Sequence, residues 1–126
     1  MDQEQIIQIQ MMEQKVNQFN YQLELIDQNL VELEDLSLSL NEIGKKETKN
    51  ILANLGKKIY LPVEISDKRL LVEVGNKHFV KKSVDETLKI VYGQTQKLIA
   101  AKAEILNRLE DLNNEIENLM QKMQDK

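Results

Sequence analysis

The one histidine, His78, is the residue best suited by type to proton transfer near neutral pH. Beside a carboxylate or a second ligand its imidazole could serve acid–base catalysis or hold a metal. The sequence offers no second His, no Cys and no evident acid partner for it, so the expectation is a surface position on a strand. Asp and Glu are plentiful at 21, but they fall mainly on the solvent faces of helical repeats, where they maintain solubility. No Gly-rich phosphate loop and no nucleophile with a flanking signature is present. These patterns predict a protein that is not an enzyme and that uses no cofactor and no metal.

The basic residues are segregated. Residues 1 to 43 contain one Lys against nine acids, residues 44 to 83 contain ten Lys or Arg against four acids, and residues 84 to 126 contain six against eight. A basic centre can attract nucleic acid through counterion release. With no recognition motif and no row of stacking aromatics beside it, nucleic-acid binding is disfavoured against lysines on strand edges and turns.

The elements that must carry these residues are legible from periodicity. In the first arm Ile9, Met12, Val16, Phe19, Leu23, Ile26, Leu30, Leu33, Ser37 and Leu40 recur in steps of three and four. The second arm repeats the pattern through Leu88, Val91, Thr95, Leu98, Lys102, Ile105, Leu109, Leu112, Ile116, Leu119 and Met123. Such a repeat keeps a narrow apolar stripe against another helix. Gly44 with Lys45 and Lys46 reads as a helix stop, and Ser83-Val84-Asp85-Glu86 as a capping box. Gly93 falls on a solvent-facing position inside the second helix, which should run through it. Antiparallel pairing within the chain matches Leu40 with Leu88, Leu30 with Leu98, Leu23 with Ile105, Val16 with Leu112 and Ile9 with Leu119. It also sets Lys102 opposite Ile26 and Thr95 opposite Leu33, polar positions that would fix the register. The arms should project for roughly 50 to 60 Å.

Between the arms the period changes to two. Ile59, Leu61, Val63 and Ile65 alternate with Lys58, Tyr60, Pro62 and Glu64. Leu70 to Val74 and His78 to Lys82 read as further strands around Gly75-Asn76-Lys77, and Ile51 to Leu55 as a weaker one before them. The expected class is α+β, mostly α: an antiparallel two-helix coiled-coil hairpin with a central four-strand segment of two β-hairpins. Short hairpins with no covering helix leave edges and an apolar face exposed. Assembly is therefore expected through Ile51, Leu55, Ile59, Leu61, Val63, Ile65, Leu70, Val72, Val74, Phe79 and Val80.

Met1-Asp2-Gln3-Glu4-Gln5 lacks the basic flank and apolar run of a signal peptide, and no stretch approaches a membrane span. Together with the absence of cysteine, this leads to the expectation of a soluble cytoplasmic protein with no membrane partner.

Helix, two hairpins and helix in 126 residues resembles the prefoldin family, specifically its alpha class, since beta-class subunits have one hairpin. The resemblance is carried by Leu52-Ala53-Asn54-Leu55-Gly56-Lys57-Lys58-Ile59-Tyr60-Leu61-Pro62-Val63-Glu64-Ile65, by Arg69-Leu70-Leu71-Val72-Glu73-Val74-Gly75 and by Phe79-Val80-Lys81-Lys82. Family members often place a further glycine after each Gly step, where this chain has Lys57 or Lys58 and His78, so its turn types stay open. The resemblance implies a single domain over 1–126, with helices over 1–43 and 83–126 and the hairpins over 44–82. It further implies an ATP-independent chaperone subunit in a hetero-hexamer of two alpha-class and four beta-class subunits. Unfolded client proteins would be held at the coiled-coil tips and passed to a group II chaperonin. In this chain the tip residues would be Ile6, Ile7, Ile9, Met11, Met12, Leu119, Met120 and Met123. The alternative reading is a coiled-coil structural or assembly adaptor without general chaperone activity.

Overall fold

A computed structural model describes residues 3–124. Its elements run α1 (Gln3–Gly44), β1 (Asn50–Gly56), β2 (Ile59–Glu64), β3 (Leu70–Glu73), β4 (Phe79–Lys82) and α2 (Val84–Gln124). The expected arms reached residues 1 and 126; positions 1, 2, 125 and 126 lie outside the described residues. The fold is mostly helical, with two small antiparallel hairpins between two long helices, as the periodicities predict.

Both helices withdraw the expected stripe from solvent. On α1 the expected positions from Ile9 to Leu40 are less exposed than their neighbours, with Gln5, Ile6 and Ile43 added. On α2 the expected positions from Leu88 to Met123 are likewise buried or half-buried, joined by buried Thr87 and by half-buried Ile90, Ala101 and Gly93, the last of which was expected to face solvent. Among the described residues the buried apolar side chains are Leu40 and Val91 in one part of the chain and Leu109 in the other, so little of the apolar surface is removed from solvent within one chain.

The chain divides into two compact units, one holding the described part of Met1–Leu30 with Gln96–Lys126, the other holding Val31–Thr95. Within the first, the Lys102 ammonium donates to Asp27 Oδ1 at 2.7 Å, one residue along from its expected partner Ile26. Lys102 thus satisfies its charge by reaching past the stripe. Thr95 acts differently from the expectation of a cross-helix pin: its hydroxyl donates to the Val91 carbonyl at 2.9 Å, within its own helix.

In the second unit the helix ends are held by local chemistry. The Glu86 amide donates to Ser83 Oγ at 3.1 Å and the Ser83 amide to Glu86 Oε1 at 3.4 Å, the reciprocal capping box. A cap of this type contributes about 1 kcal/mol. Gly44 ends α1 without a positive φ; what it provides is room, since a Cβ there would lie 3.2 Å from Val84 Cγ1. The Lys45 carbonyl just beyond accepts from the Thr48 amide at 3.2 Å and from the Lys68 ammonium, tying the helix end to the linker between hairpins.

The hairpins are separate two-stranded sheets. β1 and β2 pair as Asn50↔Glu64, Ile51↔Val63, Leu52↔Pro62, Ala53↔Leu61 and Asn54↔Tyr60, and a bulge at Leu55 shifts the register to Gly56↔Ile59. β3 and β4 pair from Leu70↔Lys82 to Glu73↔Phe79. Bonds at 2.7 Å from the Ile65 amide to the Lys49 carbonyl and at 2.9 Å from the Val74 amide to the His78 carbonyl extend the two ladders. Both turns carry positive φ at their two central residues, 55° and 64° at Lys57 and Lys58, 49° and 61° at Asn76 and Lys77. That is the type I′ signature, whose handedness matches strand twist. Left-handed backbone opposes lysine by roughly 1 to 2 kcal/mol per residue.

Candidate binding surfaces

The pairing register sorts the strand residues into faces. In the first hairpin Ile51, Val63, Ala53 and Leu61 share one face, and Leu52, Pro62, Asn54 and Tyr60 the other. In the second, Leu70, Lys82, Val72 and Val80 lie opposite Leu71, Lys81, Glu73 and Phe79. Of the expected assembly residues, Ile51, Val63, Ile65, Leu70 and Val72 are half-buried, whereas Leu55, Ile59, Leu61, Val74, Phe79 and Val80 are exposed. Leu52, Tyr60 and Leu71 are also exposed and were not anticipated. Alternation set Tyr60 apart from the expected apolar face and left Leu52 and Leu71 unassigned; the unbroken run Leu70-Leu71-Val72 was the signal for apolar character on both faces of the second hairpin. A large exposed apolar surface of this kind marks a site of association.

Near the free ends of the helices, within the first unit, a groove of about 480 Å³ is lined by Gln8, Met11, Met12 and Lys15 of α1 and by Glu115, Asn118, Leu119 and Lys122 of α2. Of the expected tip residues the groove brings together Met11, Met12 and Leu119; Ile6, Ile7, Ile9, Met120 and Met123 lie outside its lining. Ile7, Met11 and Met120 are exposed, the remaining five half-buried. Three apolar side chains, Met11, Met12 and Leu119, share the groove with Gln8, Asn118, Lys15, Lys122 and Glu115, and the methionines give it adaptable shape.

Polar groups in the hairpin unit act in structure. Asp67 opens β3: its Oδ1 accepts from the Arg69 amide at 2.9 Å, its Oδ2 from the Arg69 guanidinium at 2.9 Å, and Lys81 lies 4.0 Å away. The Arg69 hydrogen bonds hold the Asp67 carboxyl well below the ordinary carboxylate range, at about 2. His78 is exposed, and its amide closes the second turn by donating to the Gly75 carbonyl at 2.9 Å. Among the described residues no group of three His, Asp or Glu side chains is placed to hold a metal, and no helix is long and apolar enough to cross a membrane.

The family profile described as Prefoldin subunit matches residues 8–126. The chain belongs to the prefoldin family, and the class of protein it represents is a chaperone-type subunit. Its fold is similar to that of a filamentous PFD from Methanocaldococcus jannaschii seen by cryo-EM, at 19% identity, covering 93% of each chain with a TM-score of 0.51. No curated protein matches the sequence. Membership in this family implies assembly with other prefoldin subunits.

Proposed function

We propose that this chain is an alpha-class prefoldin subunit, a single domain over 1–126 that acts in the cytoplasm as an ATP-independent holdase. The observation that carries the reading is the pair of hairpins between the arms, the feature by which the alpha class differs from the one-hairpin beta class. The exposed strand faces join it to beta-class subunits, in a hexamer of two alpha and four beta. The groove and exposed methionines at the arm ends grip unfolded clients, which pass to a group II chaperonin. Each buried apolar side chain contributes roughly 1.5 to 3 kcal/mol. Single contacts of that size are weak, so retention depends on several arms holding one client at once.

The test is mass by light scattering, alone and with a beta-class subunit, followed by aggregation suppression without nucleotide. Replacing Ile6, Ile7, Met11 and Met120 with Ser should impair suppression while leaving the assembly intact. Unchanged suppression by the intact mutant would refute client binding at the tips. A self-contained assembly with no holdase activity would favour the adaptor reading instead.

A further inference from the structure

Both hairpins close with the same device, and it sets lysine where lysine is disfavoured. Gly56-Lys57-Lys58-Ile59 and Gly75-Asn76-Lys77-His78 each hold both central residues at positive φ, three of the four being lysines. Backbone held in such sparsely populated regions clusters at functional sites. Four other cations of the unit are engaged, Lys45 with Glu42, Lys68 with the Lys45 carbonyl, and Arg69 and Lys81 with Asp67, whereas Lys46, Lys49, Lys82 and Lys89 are in no ion pair among the described residues. The tip lysines are exposed and have no ion-pair partner among the described residues. Exposed Leu55 and Ile59 flank the first tip. Aliphatic side chains beside cations fit a protein surface that mixes carboxylates with apolar groups. A nucleic acid would have no use for them.

The same sequence contains the complement. On α1, Val31, Glu34, Asp35 and Leu38 stand at i, i+3, i+4 and i+7 and so share one helix face. All four are exposed, Leu38 at 64%, and the two acids have no partner among the described residues. Two carboxylates between two apolar side chains mirror two ammonium groups between Leu55 and Ile59. We propose that the Lys57-Lys58 tip of one chain docks on the Val31–Leu38 face of α1 in a second copy of this chain. The contact is steered by charge and weakens with salt.

A substitution exists that removes the charge without weakening the turn. Lys57→Asn with Lys58→Gly installs the pair that type I′ turns favour, so the hairpin should be at least as stable while self-association falls. By sedimentation at low ionic strength the expected loss is roughly tenfold, the scale of two exposed ion pairs. Lys57→Glu with Lys58→Glu should lose association, as should Glu34→Lys with Asp35→Lys, and mixing the two reversed variants should restore it. Wild-type-like association of the Asn-Gly variant, failure of the mixture to regain it, or a wild-type chain that stays monomeric would each overturn the proposal. Tip-dependent binding of a single-stranded oligonucleotide, with no response of self-association, would also overturn it. The altered residues lie outside the arm ends, so failure here leaves the holdase reading standing.

Discussion

At the scale of residues, this protein uses polar groups to fix geometry. Asp67 is the clearest case, accepting from both the backbone and the side chain of Arg69 where β3 begins. Because its folded pKa is depressed to about 2 from an unfolded value near 3.9, the unfolded chain binds more protons between those values. Its contribution to stability is complete above about pH 4 and lost as the pH falls through 2. A carboxyl-carbon NMR titration should therefore place the Asp67 midpoint near 2, and Arg69→Ala should return it toward 3.9. A wild-type midpoint near 4 would show that the Arg69 fork does not persist in solution. Lys102 and Thr95 share one seam yet resolve their polarity differently: the long side chain escapes to Asp27, and the short hydroxyl folds back on Val91. Side-chain length decides this, and of these two residues it is Lys102 that reaches the other helix.

At the scale of elements, the helices were legible because composition and period agree. No glycine or proline interrupts α1 before Gly44, and the capping box beginning α2 formed as its four residues predict. Gly93 is the one local conflict inside a helix, and a Cβ there would meet nothing within 4 Å. Gly93→Ala should accordingly raise stability by about 1 kcal/mol, read as a higher midpoint in urea denaturation. A lower midpoint would reveal a contact at this face in the assembly. The hairpins were legible as strands and turns, but their turn type was not. Period-2 patterning fixes the strands, whereas φ at Lys58 and Lys77 depends on how strand twist is closed, a property that residue type at those positions argues against.

At the scale of the whole molecule, the chain exposes apolar surface on both faces of two-stranded sheets that would be marginal alone. Leu71 and Phe79, at 67% and 60% exposure, contribute little within one chain. Replacing both with Asp should leave the helices' circular dichroism unchanged while lowering the assembly's mass by light scattering; an unchanged mass would place that face outside the interface. The sequence by itself determined the two helices, their seam, the caps and the strand segments, because each depends on neighbours three to seven residues away. Only the tertiary structure decided the register within each hairpin, that apolar residues stay exposed on both hairpin faces, and that Met11, Met12 and Leu119 line one groove. The register follows from turn geometry and the groove from contact between segments about a hundred residues apart, neither of which local periodicity encodes.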